Sequence, residues 1–229
     1  MSEERFPLFP LSAHLLPEGR MALRIFEPRY LKMVSIACQQ NGFVLCLYDH
    51  QAELNVPKLG AWVDIINFYQ EGELLHIDIK AKSLVTIKNV TMDQDNLRFA
   101  DCSEVPHWPQ QSEQQHHSVL AAKLHHVFEE FPEQGSLYPE PKFDDINWVC
   151  ARFLEILPLS FEKKQLFTNA DSFTQADAAS TYLLAELRDK PHEVFSMLLL
   201  DSQHQLIAFR QMFKGTINSA AVYPRELVK

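Results

Sequence analysis

The 229 residues predict an α+β protein with a β-rich lobe over residues 5–108, a helical lobe over 114–188 and a short hairpin-containing tail over 189–229. Three observations carry this. Up to Val105 the apolar residues come in short runs bounded by turn residues, with a period near two. Pro106, Pro109 and the polar run Gln110–His117 interrupt that pattern, and beyond them the apolar period lengthens to that of helices. From Pro191 onward two apolar runs remain, too few to build a core alone.

Phe6–Leu11 contains Pro7 and Pro10, neither of which can donate to a ladder, so it predicts a strand at a sheet edge or start. Met21–Phe26 follows the turn-like Pro17-Glu18-Gly19 and predicts a second strand. Pro28 suits the first turn of a helix, where its missing N–H has no partner to lose, and Glu27 sets negative charge at the positive end of the helix dipole. This helix is expected over Pro28–Gln40, with Arg24, Glu27 and Arg29 pairing with one another or capping the junction. Phe43–Tyr48 lies between Asn41-Gly42 and Asp49-His50 and predicts the next strand. Ala61–Gln70 and Leu74–Ile79 should form a hairpin about Glu71-Gly72-Glu73. Leu84–Val90 and Leu97–Val105 continue the series, with Asp93–Asn96 as their turn. Several short strands around one helix imply a strongly curved sheet or a partly open barrel.

In the helical lobe, Leu120, Leu124, Val127, Phe128 and Phe131 share one helix face. Ile146, Val149, Cys150, Phe153, Leu154 and Leu157 define a second helix, capped by Asp144 or Asp145 and ended by Pro158. Ser160 can cap a short third helix. Ser172 with Gln175 forms a capping-box pattern opening a fourth, along which Ala176, Ala179, Leu183 and Leu187 align. In the tail, Val194–Leu200 and Gln205–Phe209 predict a hairpin turning at Asp201–His204.

Composition excludes several classes. The net charge is −9, with no densely positive segment, so nucleic acid is not an expected partner. No apolar run approaches the roughly 20 residues that span a bilayer, and Met1–Glu4 is acidic where a secretory signal begins basic, which makes the cytoplasm the expected location. Cys38, Cys46, Cys102 and Cys150 are dispersed and are expected as reduced thiols. The glycines are too scattered for a phosphate-cradling loop, and there is no G-x-S-x-G elbow. His192-Glu193 begins like a zinc-protease motif, but Ser196 stands where the second histidine is needed. His116-His117 and His125-His126, the latter one helical turn from Glu129 and Glu130, would need two further ligands to hold a metal, so a solvated helix face is the expectation. No catalytic residue, cofactor or metal is therefore expected.

Two clusters near the amino terminus, Pro7-Leu8-Phe9-Pro10-Leu11 and Leu23-Arg24-Ile25-Phe26-Glu27-Pro28-Arg29-Tyr30-Leu31, resemble the opening of the Lon amino-terminal domain. Trp148–Lys164 resembles the helix, Leu-Pro, helix passage of the same family, so the resemblance covers about residues 5–188. The chain departs from the family pattern at Gly60-Ala61 and at Ala81-Lys82-Ser83-Leu84. The resemblance implies a PUA-like pseudo-barrel followed by a helical bundle. It also implies non-catalytic recognition of polypeptide substrates, unfolded or extended segments, or of partner proteins such as a protease or chaperone. RNA binding, suggested by PUA-like folds, conflicts with the acidic balance.

Val194–Asp201, Gln205–Phe209, Phe213–Asn218 and Tyr223–Glu226 resemble the beginning of a RadC-type domain of the JAMM metallopeptidase class. That class holds zinc through an HxH motif followed by an aspartate. Here the last histidine is His204, the last aspartate is Asp201, and Glu226 would stand alone, so the tail is expected to be a domain fragment. A metallopeptidase-like or DNA-repair-associated role is the alternative function that it suggests.

Candidate peptide-binding residues come from alternation along Ala61–Gln70. Ala61, Val63, Ile65, Asn67 and Tyr69 would face one side, and Trp62, Asp64, Ile66, Phe68 and Gln70 the other. The second set mixes large apolar side chains with polar ones, which marks Trp62, Ile66 and Phe68 as candidates for a half-exposed groove. Burial of Trp62 and Phe68 beneath the helical lobe is the competing expectation.

Overall fold

The computed structural model describes residues 3–72, 74–106, 108, 117–157, 159–160, 162–164, 194–200 and 206–214, with backbone alone for 117, 194–200 and 206–214. The chain divides into two compact units, Met1–Leu183 and Leu184–Lys229.

The first unit is built on β1 (Glu4–Leu11), β2 (Arg20–Ile25), β3 (Phe43–Leu47), β4 (Leu59–Glu71), β5 (Leu74–Met92) and β6 (Arg98–Val105), with α1 (Pro28–Gln39) between β2 and β3. The strand order is β2-β5-β4-β3-β1-β6, and β6 returns to pair with β5, so five strands close into a ring with β2 attached outside it. Closure depends on the length of β5. Its first part, Leu74–Thr86, pairs with β4, and its second, Leu84–Met92, pairs with β6. The sequence suggested two strands here, broken at the polar Lys80–Ser83. Instead the ladder continues, because the register shift opposite Trp62/Val63 accommodates Lys82 as an extra residue and the strand bends without ending.

The prolines of β1 also require a correction, since β1 lies between β3 and β6 and not at the sheet edge. Its two pairings are offset: Glu4–Leu8 pairs antiparallel with β6, whereas Leu8–Leu11 pairs parallel with β3. Apart from Leu8, each residue has a partner on one side. Pro7 and Pro10 therefore sit in stretches that behave locally as edges, on opposite sides of the strand.

Inside the ring, Phe6, Leu8, Val44, Cys46, Val56, Val85, Ile87, Ala100 and Cys102 form the core. Burial pushes the thiols of Cys46 and Cys102 up to about 12. Cys150 is buried as well, whereas Cys38 is exposed. Outside the ring, α1 buries Tyr30, Met33, Val34 and Ala37, with the Phe9 ring 4.3 Å from Tyr30 and 6.1 Å from Phe43. Pro28 occupies the first turn of α1. Glu27 makes no side-chain cap but pairs with Arg29 at 2.6 Å.

The helical part contains α2 (His117–Glu130), α3 (Pro132–Gly135) and α4 (Ile146–Ile156). Asp145 caps α4 by accepting from the amides of Asn147 (2.9 Å) and Trp148 (3.3 Å). Phe128, Tyr138, Phe143 and Trp148 pack edge to face or stacked, with ring centroids 5.3–6.2 Å apart. Along α4, Ile146–Leu154 are buried without interruption and not along one face alone. The amide of Lys163 donates to the Ser160 hydroxyl at 3.4 Å, the cap expected of the short third helix. The predicted fourth helix lies outside the described residues. In the second unit, β7 (Val194–Leu200) and β8 (Leu206–Lys214) pair antiparallel, and β8 runs past the expected Phe209.

Candidate polypeptide-binding surface

The three residues singled out by alternation do not form one face. Along β4 the register with β5 shifts between Trp62 and Val63 and again between Ile65 and Asn67, where Ile66 is the extra residue. Ile65 opposes Ile79 and Phe68 opposes Ile77, and Ile77 and Ile79 are two residues apart on one face of β5. Phe68 therefore joins the face of Val63 and Ile65. Trp62 lies on the other face, with Asp64, Asn67 and Tyr69. A bulge inverts every assignment beyond it, so the strict alternation read from the sequence holds only up to Ile65.

Trp62 is a structural residue. Its indole Nε1 donates to the Asn41 carbonyl at 2.8 Å, its ring lies 5.3 Å from that of Phe6, and the Lys82 ammonium stands 4.0 Å above it. It packs against the barrel core, half-buried, and among the described residues does not lie beneath the helical part. Phe68 does not lie beneath the helical part either, because it is 68% exposed.

Beyond the bulge, β4 and the start of β5 project as an arm whose apolar side chains face water: Ile66, Phe68, Tyr69 and Leu74. The arm is rigidified by polar and aromatic contacts. Asn67 donates to Asp78 at 3.0 Å, the Tyr69 ring stacks on His76 at 4.8 Å, and Gln70 donates to the Gly72 carbonyl at 3.0 Å, with Gly72 in the left-handed region at φ +61°. β2 pairs with Leu75–Lys80 and supports one side of the arm. Phe26, 53% exposed, follows directly on the Ile25–Leu75 pair. This is an exposed apolar surface held on paired strands, which can contact apolar side chains of another chain without demanding one sequence.

A second constellation, buried, escaped sequence reasoning. Arg152 is fully buried on α4 and forms a two-pronged pair with Glu155, both bonds 2.7 Å. Arg152 also donates to the Leu16 and Pro17 carbonyls (3.3 and 3.2 Å), and Glu155 accepts from the Leu16 amide at 2.7 Å. The Arg20 amide donates to the Tyr138 hydroxyl at 3.0 Å, and Lys142 pairs with Glu18 at 2.6 Å. These contacts fasten α4 and the segment before it to the loop between β1 and β2 and to the first residue of β2. Gly19 is required there: a Cβ would come within 2.3 Å of the Glu155 carboxylate and 2.8 Å of the Leu16 carbonyl. Burial pushes the Glu155 carboxyl up, and Arg152 opposes that shift. His14, buried and with neither ring nitrogen hydrogen-bonded, is pushed down to about 3 by burial and by the charges of Lys164 and Arg152. The spacing Trp148, Arg152, Glu155 places all three on successive turns of one helix, the signal that could have revealed the network.

His125 and His126 lie 3.5 and 3.6 Å from Glu129 and Glu130 on an exposed stretch of α2. Among the described residues no group of three or more His, Cys, Asp or Glu side chains is arranged to hold a metal, and no helix is long and apolar enough to cross a membrane.

Closed strand ring, outer helix and helical lobe together define the fold of Lon amino-terminal domains. A Lon N-terminal domain protein from Xanthomonas campestris superposes with a TM-score of 0.60 at 24% identity, covering 80% of this chain and 98% of that one. The N-terminal domain of the Mycobacterium avium complex Lon protease gives 0.57 at 12% identity, covering 81% and 99%. Residues 173–229 match the family described as RadC-like JAB domain. A UPF0758 protein of Alteromonas mediterranea is 66% identical over 59 residues, and one of Shewanella sp. strain ANA-3 is 54% identical over 111 residues. The chain spans 26% of the first of these relatives and 44% of the second.

Proposed function

We propose that this protein holds unfolded or extended polypeptide segments without acting on them chemically, and that the arm formed by β4 and β5 is where it does so. The observation that carries the reading is the exposure of Ile66, Phe68, Tyr69 and Leu74 on strands whose other half is a closed, buried barrel. Exposed apolar side chains cost solubility, and their concentration at one end of a rigid arm fits a contact surface. The likeness to Lon amino-terminal domains, one of them part of a Lon protease, supports the same reading. A protease or chaperone that receives the held segment would be the working partner.

The test is equilibrium binding of the full chain to a permanently unfolded probe, reduced and carboxymethylated lactalbumin, alongside native lactalbumin. Saturable binding of the unfolded form alone supports the proposal; equal binding of both forms, or of neither, refutes it. A RadC-related role is a second reading, supported by the match of residues 173–229 to the RadC-like JAB family.

A further inference from the structure

We infer that the open edge of β4, Asn67–Glu71, binds an extended segment of another protein by strand addition, main chain to main chain, as a further strand of the sheet. The inference rests on the polypeptide-binding reading above and specifies its mode.

β3 accompanies β4 only over Ala61–Val63. There the chain turns away through Gly42, at φ +111°, where a Cβ would come within 2.1 Å of the Val63 carbonyl, so β3 cannot follow β4 further. Beyond that point, among the described residues, Asp64–Glu71 pairs with β5 alone, leaving the other side of its main chain unpaired. The bulge at Ile66 interrupts only the beginning of this stretch. Asn67–Glu71 pairs in unbroken register with Leu74–Asp78 and is therefore an edge without a bulge.

Proteins blunt such edges with proline or lysine, and β4 has neither between Leu59 and Glu71. The apolar side chains also select the occupant's shape. Phe68 and Tyr69 are consecutive, so they point to opposite faces, and both are exposed, at 68% and 49%. A helix laid on one face would cover one of them. A strand aligned with the edge brings its own alternating side chains against both.

Charge separates the two sources of such a strand. β4 carries Glu71 at the end of this edge and Asp64, paired with Lys82 at 3.3 Å, just before it, with no basic residue of its own. A second copy would bring together two chains that each carry a net charge of −9, and their mutual repulsion opposes that pairing. An extended segment with apolar residues at its centre and lysine or arginine at its ends complements the edge instead.

The probe is a fluorescein-labelled peptide of alternating valine and threonine with a lysine at each end, titrated with the full chain. Its counterpart is N-methylated at two adjacent central residues, which removes a donor from each edge of the peptide while keeping its side chains. The parent peptide should bind and protect the amides of Asp64–Glu71 from hydrogen exchange, and the methylated one should bind about tenfold or more weakly. Phe68→Thr, which keeps strand propensity, should weaken the parent peptide without lowering the melting temperature. Equal binding of the two peptides, or protection elsewhere, would overturn strand addition and leave the holding function standing. Failure of either peptide to bind while unfolded lactalbumin binds would likewise overturn strand addition alone. Concentration-dependent dimerisation that protects Asp64–Glu71 without peptide would overturn it in favour of a second copy.

Discussion

The two halves of β4 share one strand and one partner, β5, yet they have opposite fates. Gly60–Val63 is enclosed by β3 on its open side and by the barrel core on its inner face, whereas Ile66–Glu71 is exposed throughout. Both halves hold large apolar residues, Trp62 and Val63 in one and Ile66, Phe68 and Tyr69 in the other. The difference comes from neighbours: β3 stops at Phe43, and the bulge at Ile66 turns the rest of the strand out of the barrel wall. Apolar sequence therefore becomes core where the ring closes and surface where it does not.

The sharpest way to test that division is to perturb the part built for stability. Glu155→Ala leaves the Arg152 guanidinium buried without its carboxylate and should cost about 3–5 kcal/mol in denaturant unfolding. A cost below about 1 kcal/mol would mean that α4 is not fastened to the β1–β2 loop through this pair. Trp62→Ala, in the near half of β4, removes the hydrogen bond to Asn41 and the packing on Phe6, and should cost about 2–4 kcal/mol because the ring is only half-buried. Ile66→Ser or Phe68→Ser, in the far half, should change stability by no more than about 0.5 kcal/mol.

Protonation gives a further test. His14 is held neutral in the folded chain, down to about 3 from its ordinary 6.5, so below 6.5 the unfolded chain takes up a proton that the folded one refuses. Stability contributed by this group is therefore complete above 6.5 and declines as pH falls from there toward 3. Between pH 7 and pH 5 the loss should be about 2 kcal/mol, and His14→Leu should remove it from the pH profile. A profile unchanged by that substitution would show that His14 takes up its proton in the folded chain as readily as in the unfolded one. The smallest effect concerns thiols: in the native protein a thiol reagent should modify Cys38 readily and Cys46, Cys102 and Cys150 only on unfolding.

Much of the barrel was legible because turn residues punctuate its strands. Asn41-Gly42 and Asp93–Asn96 lie where the chain turns, and Pro28 begins α1. What escaped were features made by pairing between distant segments. The continuity of β5 through Lys80–Ser83 depends on ladders to β2 and β4, and the two local edges of β1 depend on the offset between β3 and β6. The bulge at Ile66 carries no marker, since isoleucine suits a regular strand equally well, and it separated Trp62 from Phe68. Arg152 carries no sequence signal of its own, because a lone arginine on a helix ordinarily reaches solvent; its burial needs the Leu16 and Pro17 carbonyls, far away in sequence.

The most direct measurement pairs affinity with stability in two variants. Unfolded lactalbumin is titrated with the wild-type chain, with Trp62→Ala and with Ile66→Ser/Phe68→Ser, and the melting temperature of each is recorded. The exposed arm as binding surface predicts that the Ile66/Phe68 variant loses about tenfold or more in affinity at an unchanged melting temperature. It also predicts that Trp62→Ala, below its lowered melting temperature, binds as the wild type does. Retention of full affinity by the Ile66/Phe68 variant would contradict the claim and move the binding surface off the arm.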